Sequence, residues 1–288
     1  MALANTVGDR PKSQQKHGPN ALSTLLARGR PLVMGVLNIT PDSFSDGGRF
    51  IEPQRAIAQA ERMLAEGADI IDCGTESTRP YAGATPVSED EEIARLKPVL
   101  AAVVKLGKPV SIDTMKSAIA RWAFDEGAAM ANDVWGLQGD AAMAEVVAQQ
   151  GAPVIVMHNR EAADPAIDIV ADVNAFFARS LEIAGRAGIA RDKIVLDPGI
   201  GFGKTAEQSI ACIARLGEFK RHGLPLLVGA SRKRFISAVA PAPPDQRLGG
   251  SLAAHLAAVA NGVAIVRVQV VAETVQALRV AAAIEAAR

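Results

Sequence analysis

Short apolar runs alternate with long amphipathic stretches along most of the chain. The runs are rich in β-branched side chains and apolar at almost every position, which is typical of parallel strands buried on both faces. They are Val33–Leu37, Ile70–Cys73, Val110–Asp113, Met130–Val134, Val154–Met157, Ile194–Leu196, Leu226–Val228 and Ala264–Val268. After each run, apolar residues recur at helical spacing, over Gln54–Glu66, Glu89–Lys105, Met115–Glu126, Ala141–Gln150, Ile167–Ala187, Glu207–Arg221, Ser251–Ala260 and Glu273–Ala287.

This alternation favours one architecture over its main competitor. Eight strand–helix units in about 250 residues match the size of a (β/α)8 barrel. A doubly wound open sheet would usually carry a GxGxxG loop after its first strand, and here that loop reads NITPDSFSDGG. We therefore predict an α/β fold, with a single (β/α)8 TIM barrel over residues 31–288. Residues 1–30 are expected to form an N-terminal extension, either flexible or a strap across the bottom of the barrel.

Composition excludes several classes of protein. The 31 Lys and Arg residues balance the 31 Asp and Glu residues, so the basic surplus of a nucleic-acid-binding protein is lacking. No uncharged apolar run reaches the roughly 18–20 residues of a membrane-spanning helix, and the N-terminus lacks the apolar core of a signal peptide. The two cysteines are too few for a disulfide framework. We expect a cytoplasmic protein that binds neither nucleic acid nor membrane.

Polar residues cluster at the C-terminal ends of the predicted strands. These ends meet on one face of a (β/α)8 barrel, where the active site is built, although a single Asp or Asn there could equally cap the next helix. The cluster comprises Asn38, residues 76–79 (ESTR), Asp113, Thr114, Asn132, Asp133, His158, Asn159, Arg160, Asp197, Ser231, Arg232, Lys233 and Arg267. We predict that a binding or catalytic site lies on this face.

The residue types within this cluster suggest a substrate with two unlike parts. The carboxylates of Asp113 and Asp197 and the amide of Asn132 suit the N–H and amino groups of a flat heterocycle. Lys233 and Arg267, on the last two strands, supply positive charge where such barrels often bind phosphate. A heterocycle that carries a phosphate leaving group would satisfy both.

Other segments at these strand ends carry weaker signals. Asn38 offers a neutral oxygen suited to Mg²⁺. The glycine-containing segments 42–48 and 78–84 are candidate lids over the substrate. The stretch DPGIGFGK, residues 197–204, lacks the GxxxxGK[ST] spacing of a phosphate-binding loop and fits a tight turn equally well.

Seven stretches of the sequence resemble dihydropteroate synthases in their order and spacing. They are MGVLNITPDSFSDGG, ESTRP, SIDT, NDV, MH, LDPGIGFGKT and GASRK. The resemblance runs from about Val33 to the C-terminus. It implies a transferase that condenses 6-hydroxymethyl-7,8-dihydropterin pyrophosphate with 4-aminobenzoate to give 7,8-dihydropteroate and pyrophosphate in folate biosynthesis. Such enzymes are Mg²⁺-dependent, usually homodimeric, and the targets of sulfonamides.

The resemblance also implies roles for individual residues. It puts the pterin pocket at Asp113, Asn132, Met157, Asp197 and Lys233. The pyrophosphate and Mg²⁺ site would comprise Asn38, Asp42, Ser43, Arg267 and Gln269, with Asn38 as the metal ligand. The aminobenzoate pocket would comprise Thr78, Arg79, Pro80, Phe202 and Arg234. The residues expected to take part in catalysis, without any nucleophilic side chain, are Asp113, Asp197, Lys233 and Arg267.

The last predicted strand departs from the family pattern Arg-x-His-Asp-Val. It reads Arg267-Val268-Gln269-Val270-Val271, so Gln269 keeps a neutral donor but cannot become cationic, and Val270 removes a carboxylate. We expect weaker pyrophosphate binding. Two alternatives stay open: a divergent pterin-binding paralogue with impaired catalysis, and a methyltetrahydrofolate–corrinoid methyltransferase, which shares the pterin-binding barrel.

Overall fold

Eight parallel strands form a closed ring at the centre of the fold. The computed structural model describes residues 21–39, 51–75 and 88–288. The strands pair in the order β6-β5-β4-β3-β2-β1-β8-β7, and a parallel bridge between Leu196 and Leu226 joins β6 to β7. The predicted (β/α)8 barrel is therefore confirmed. Its strands are β1 (Leu32–Asn38), β2 (Ile70–Gly74), β3 (Val110–Asp113), β4 (Met130–Asp133), β5 (Val154–Met157), β6 (Ile194–Asp197), β7 (Leu227–Val228) and β8 (Ile265–Val268).

The described helices surround this ring on its outer side, except for the first, which packs against the N-terminal end of the barrel. Within the described ranges they are α1 (Ala21–Leu26), α2 (Ile51–Glu66), α3 (Glu89–Val104), α4 (Ser117–Asp125), α5 (Met143–Gln150), α6 (Ile169–Ala187), α7 (Ala206–Ala214), α8 (Arg234–Val239), α9 (Leu248–Ala260) and α10 (Val271–Ala286). Contacts run from α2 through α7 to α9 and α10, and back to α2. None of the described helices is both long and apolar enough to span a membrane.

Two parts of the helical layer differ from the prediction. The predicted helix Glu207–Arg221 ends at Ala214, and a 3₁₀ helix follows over Leu216–His222. Gly217 lies at this break, and glycine weakens an α-helix by about 1 kcal/mol relative to alanine. Helices α1 and α8 were not predicted, because six residues are too few for a 3.6-residue periodicity to emerge from the sequence.

The lower part of the barrel interior is apolar. Its cluster consists of side chains from the first residues of the strands, namely Leu32, Met34, Ile70, Met130, Ile155, Val195, Leu227 and Ile265, together with Leu22 and Leu25 of α1. Leu22 is completely buried and Leu25 nearly so. Helix α1 therefore packs against the N-terminal end of the barrel, opposite the face on which the site is expected.

A buried carboxylate fixes the segment between α1 and β1. Asp69, just before β2, accepts hydrogen bonds from Arg28 Nη1 at 2.8 Å, Arg30 Nη2 at 2.7 Å and the Val33 N–H at 3.0 Å. Burial by itself would raise the pKa of Asp69, but the hydrogen bonds from Arg30 and Val33 hold it below its ordinary value. The carboxylate thus joins the entry to β1 to the start of β2.

Replacing Asp69 with Asn should lower the free energy of unfolding by about 1–2 kcal/mol at neutral pH. The two arginines lose their charged partner, and both remain partly in water, which limits the loss. Because folding lowers the pKa of Asp69, its contribution is present above the unfolded pKa of about 3.9 and disappears as the pH falls through the folded pKa. Urea denaturation of both proteins across this range measures the difference. Equal stability at neutral pH would contradict the prediction.

Candidate active site

The polar part of the barrel interior lies directly above the apolar cluster at the N-terminal ends of the strands, which we call the floor of the barrel. Side chains alternate between the two faces of a strand, so the residues two positions after the floor residues also point inward. Asp72 follows Ile70 on β2, Asn132 follows Met130 on β4, Asp197 follows Val195 on β6 and Arg267 follows Ile265 on β8. Asp113, at the end of β3, lies beside Asn132 in the strand register. The sequence expectation that these residues converge is met for Asp113, Asn132, Asp197 and Arg267, whereas Asp72 was not foreseen.

Arg267 joins β8 to β2 and β3 through two carboxylates. Its Nε donates to Asp72 Oδ2 and its Nη2 donates to Asp113 Oδ2, each over 2.6 Å. The same Asp72 oxygen accepts from Asn132 Nδ2 at 3.0 Å. Both carboxylates are buried, with exposed fractions of 0% for Asp72 and 6% for Asp113. One cation therefore pairs with two acids inside the barrel.

Burial and charge change the proton affinities of these groups. Burial raises the pKa of Asp113 above its usual range; Arg267 opposes this shift and the nearby Asp72 adds to it. Burial also acts against the charge on Arg267, but Asp72 and Asp113 outweigh it and raise the pKa of the guanidinium. Arg267 thus stays cationic, while Asp113 holds a proton more readily than a solvated aspartate.

Two further charged residues, Asp197 and Lys233, lie at the barrel mouth and influence each other electrostatically. Asp197 Oδ1 accepts from the Gly199 N–H at 2.7 Å, and burial raises the pKa of Asp197 while Lys233 opposes the rise. Lys233 Nζ donates to the Ile200 carbonyl oxygen and lies 4.7 Å from the centre of the Phe202 ring. Desolvation lowers the pKa of Lys233 to about 7, against the attraction of Asp197. The lysine charge is therefore sensitive to pH near neutrality.

An apolar platform lies beside the polar groups. Val134, Met157 and Phe202 form a separate buried cluster, and the partly buried Met115 and Trp135 pack against it. Sites for small ligands are lined mainly by apolar and aromatic side chains, with a few polar groups that fix the orientation of the ligand. The structure thus brings the predicted Met157 and Phe202 together on one surface.

Several polar atoms around this platform lack hydrogen-bond partners within the described part of the chain. They include Asp72 Oδ1, Ser111 Oγ, Asp113 Oδ1 and Asn132 Oδ1, and all four are buried. Buried polar atoms are almost always paired in native proteins, and leaving one unpaired costs about 1–3 kcal/mol. Asp113 Oδ1 and Asn132 Oδ1 lie near the C-terminal ends of β3 and β4 and serve as acceptors, so a ligand that offers N–H donors would complete the site.

The loop after β6 folds around the ammonium group of Lys204. Its Nζ donates to the carbonyl oxygens of Gly199 at 2.9 Å and Phe202 at 3.0 Å, and to His158 Nδ1 at 2.7 Å. Gly199 has φ +64°, and a Cβ atom there would lie 1.9 Å from the His158 carbonyl oxygen, so only glycine fits. Lys204 thereby fixes the loop that carries Phe202.

His158 is neutral in this arrangement. Its Nδ1 accepts from Lys204, and its Nε2 lies 3.0 Å from Asp172 Oδ2, so the ring proton is on Nε2. Burial, assisted by Lys204, lowers the pKa of His158 to about 3. Burial also lowers the pKa of Lys204 to about 8, which leaves the lysine protonated at neutral pH. The His158 backbone N–H donates to the Asp197 carbonyl oxygen at 2.8 Å and ties this network to the site.

The remaining predicted residues lie at the rim or outside the described ranges. Asn38 is exposed at the end of β1, Arg234 is exposed at the start of α8, and Gln269 is half-buried after β8. The Gln269 N–H donates to Ser231 Oγ at 3.4 Å, which connects the ends of β7 and β8. Asp42, Ser43, Thr78, Arg79 and Pro80 fall outside the described residues, as do both candidate lids in full.

Comparison with known proteins identifies the family. The model of the pterin binding enzyme family matches residues 34–269. The chain belongs to the dihydropteroate synthase family of pterin-binding enzymes. It is 44% identical over 251 residues to the dihydropteroate synthase of Bacillus subtilis, which covers 87% of this chain and 86% of the relative.

Solved dihydropteroate synthases agree with this assignment. The structure from Clostridium difficile in the presence of pteroic acid is 46% identical with a TM-score of 0.85, covering 88% of this chain and 97% of that one. The structure from Xanthomonas albilineans in complex with 7,8-dihydropteroate is 39% identical with a TM-score of 0.82, covering 89% and 94%. These relatives are synthases rather than corrinoid methyltransferases.

Two groups that the family resemblance did not bring out are part of this site. Asp72 interrupts an otherwise apolar strand, and a charge inside a buried strand is itself a signal, because such a group needs a partner. Lys204 closes the DPGIGFGK segment, which the sequence suggested only as a tight turn. Its partner His158 lies 46 positions earlier in the chain, so no local pattern could reveal the pairing.

Asn38 could supply one oxygen ligand to the Mg²⁺ that the family resemblance implies. No group of three or more His, Cys, Asp or Glu side chains that could hold a metal ion occurs within residues 21–39, 51–75 and 88–288. Mg²⁺ keeps several waters and commonly binds through one or two protein oxygens together with substrate phosphates. A single amide oxygen such as that of Asn38 is compatible with that mode of binding.

Replacing Lys204 with Met should lower the free energy of unfolding by about 3 kcal/mol. The change leaves two carbonyl oxygens and His158 Nδ1 without their charged donor in a buried loop. Hydrogen exchange should also accelerate at the amides of residues 199–204, because the loop loses its closing contact. Lys220→Met, at an exposed lysine, is the matched control for urea denaturation and exchange. If both variants match the parent protein, Lys204 does not hold this loop.

Proposed function

We propose that the chain condenses 6-hydroxymethyl-7,8-dihydropterin pyrophosphate with 4-aminobenzoate, as a transferase of folate biosynthesis. The products are 7,8-dihydropteroate and pyrophosphate. The observation that carries the proposal is the set of buried, unpartnered acceptor oxygens beside an apolar platform in a dihydropteroate synthase barrel. The similar synthase solved in complex with 7,8-dihydropteroate supports the same product here.

The pterin end of the substrate suits the interior of the barrel. A pterin presents N–H and amino groups along its pyrimidine edge, and Asp113 Oδ1 and Asn132 Oδ1 offer acceptors that lack protein partners among the described residues. Asp197 adds a third acidic group from β6. Met157 and Phe202 supply an apolar surface for the ring. Binding would thus satisfy oxygens that are otherwise buried without donors.

The pyrophosphate end suits the rim of the last strands. Arg267 is a permanent cation that reaches the polar interior, and Asn38 and Gln269 add neutral groups at the ends of β1 and β8. Mg²⁺, bound at Asn38, would neutralise part of the charge on the departing pyrophosphate. Lys233 contributes a second positive charge when it is protonated.

The aminobenzoate would approach from the outer side of the pterin. Phe202 and Arg234 are the described residues expected there, with Thr78, Arg79 and Pro80 from the second candidate lid. Arg234 starts α8 and is exposed, so it could meet the aminobenzoate carboxylate at the edge of the site. This arrangement would put the arylamine next to the pterin methylene carbon.

The chemistry needs no nucleophilic side chain. The bond between the pterin methylene carbon and the pyrophosphate oxygen breaks, and its electron pair leaves with pyrophosphate. The arylamine nitrogen bonds to that carbon and then loses a proton. Asp113 and Asp197 stabilise the positive charge that develops on the pterin, an electrostatic role that needs only fixed groups. Burial raises the pKa of Cys73, and that of Cys212 to about 11, so both thiols stay protonated at neutral pH.

Two further properties stay predictions. A homodimer is expected from the family resemblance, and the exposed Val280 and Ile284 of α10 suit an apolar interface there. A cytoplasmic location follows from the sequence expectation alone.

The direct test is pyrophosphate release from purified protein supplied with both substrates and Mg²⁺. Release that depends on the aminobenzoate supports the synthase. Pterin binding without pyrophosphate release would favour the alternative suggested by Gln269 and Val270, a paralogue with impaired catalysis.

Replacing Asp197 with Asn should reduce the rate of pyrophosphate release by on the order of 10- to 100-fold. The variant loses a charged acceptor of the pterin, and hydrogen bonds to charged groups contribute about 1.5–3 kcal/mol. The matched control is Asp168→Asn at the N-cap of α6, where Asn caps a helix as well as Asp. Unchanged kinetics in Asp197→Asn would remove this residue from the pterin site.

Replacing Gln269 with His should lower the KM for the pterin pyrophosphate by up to about tenfold. Histidine can carry a charge near the leaving group, so the gain should grow as the pH falls through about 6.5, its ordinary pKa. Steady-state kinetics at several pH values measure the effect, with Gln246→His at an exposed site as the control. A KM that does not change with the substitution would show that position 269 does not contact the phosphates.

A further inference from the structure

Asp72 is a buried charge for which the proposed reaction supplies no direct task. It lies in the middle of β2, between the floor residue Ile70 and the end of the strand, and its side chain is fully buried. A buried carboxylate costs several kcal/mol unless charges and hydrogen bonds compensate for it. Its Oδ2 accepts from Arg267 and from Asn132. The question is what this costly group contributes.

The hydrogen bond to Asn132 has a directional consequence. A carboxylate only accepts hydrogen bonds, so the amide of Asn132 must turn its NH₂ group towards Asp72. Its Oδ1 then points elsewhere, is buried, and has no partner among the described residues. Asp72 therefore fixes the orientation of the Asn132 amide so that its oxygen, an acceptor, is available to the ligand. Without Asp72, the amide could turn either its oxygen or its NH₂ group towards the ligand.

The hydrogen bond between Asp72 and Arg267 also helps to leave an acceptor oxygen available to the ligand. Arg267 spans Asp72 and Asp113 with separate nitrogens, which occupies Asp113 Oδ2 and leaves Asp113 Oδ1 without a partner. One carboxylate thus helps to fix two outward acceptors on neighbouring strands.

We propose that Asp72 is a positioning residue that sets the donor–acceptor polarity of the pterin site through the amide of Asn132. It selects heterocycles with a donor at that edge and rejects those with an acceptor. The inference rests on the proposed function, because it concerns how the same site recognises its pterin.

The test compares two ligands with opposite donor–acceptor polarity at the 2-position. One is 6-hydroxymethylpterin, and the other is the corresponding lumazine, in which a carbonyl oxygen replaces the 2-amino group and N1 carries a hydrogen. Dissociation constants are measured by fluorescence titration, so turnover is not needed. The parent protein should favour the pterin by at least about 100-fold, because a site built to pair with an amino group rejects an analogue without it.

Asp72→Asn should reduce this preference by about tenfold. The new amide can still accept from Arg267, but its NH₂ group can face Asn132 Oδ1 and reverse the amide. The matched control is Asp69→Asn, the same change beside the N-terminal end of β2, which should leave the preference unchanged. If Asp72→Asn keeps the parent preference, the proposal is wrong.

A double substitution separates positioning from direct contact. In an Asn132→Ala background, Asp72→Asn should not alter the pterin-to-lumazine ratio further, because the amide through which it acts is gone. An equal effect in both backgrounds would mean that Asp72 contacts the ligand itself, and would overturn the proposal.

A measurement on the parent protein avoids any dependence on how well Asp72→Asn folds. The Asn132 side-chain N–H that donates to Asp72, assigned by its loss in Asn132→Ala, should be protected from hydrogen exchange before the pterin binds and remain so afterwards. Loss of this protection when the pterin binds would refute the proposal. If the parent protein binds the pterin no better than the lumazine, the polarity proposal is wrong, whereas failure to release pyrophosphate from a protein that prefers the pterin contradicts only the proposed function.

Discussion

The site depends on one cation that is shared by two buried acids. Arg267 comes from the last strand and reaches Asp72 and Asp113 on the second and third, so its ion pairs connect parts of the chain 195 and 154 positions apart. Buried ion pairs of this kind often contribute little to stability compared with apolar side chains of the same volume. Their presence above a well-packed apolar floor is therefore explained better by recognition than by folding. The three acids Asp72, Asp113 and Asp197 outnumber the cations Arg267 and Lys233, which leaves acceptors for the donors of a ligand.

The fold was largely predictable because a barrel repeats one simple constraint. Strands covered on both faces must be apolar and short, and helices between them must carry one apolar side, so each of the eight units has the same signature. What the sequence did not reveal was local. Helices α1 and α8 are each six residues long, and α7 ends at Ala214 although the helical pattern continues to Arg221. Elements of one or two turns depend on tertiary contacts rather than on periodicity.

The site residues that lie at the C-terminal ends of strands could be predicted from the sequence. Asp113, Asn132, Asp197 and Arg267 were expected on one face of the barrel, and the structure brings them together. Asp72 lies two residues before the end of β2, inside a run that we predicted to be apolar. Its importance becomes visible only in the structure, where both Arg267 and Asn132 donate hydrogen bonds to it. Lys204 was missed because its partners, two backbone carbonyls and His158, come together only when the loop is folded. Strand ends can be located from a sequence, but hydrogen-bond partners across the barrel cannot.

The departure of the last strand from the family pattern lies at the rim of the site, at Gln269 and Val270. The groups proposed to contact the heterocycle are each held by another group: Asp113 by Arg267, Asn132 by Asp72 and Phe202 by the loop that Lys204 closes. A substitution there would leave a buried partner unsatisfied, at a cost of about 1–3 kcal/mol, before any effect on the ligand. Gln269 and Val270 lie at the rim, half-buried, where a lost charge has no buried partner among the described residues. Divergence at the rim can thus change the affinity for the anion while the interior continues to specify a pterin, which is why the identity of the heterocycle and the strength of anion binding are separable properties of this barrel.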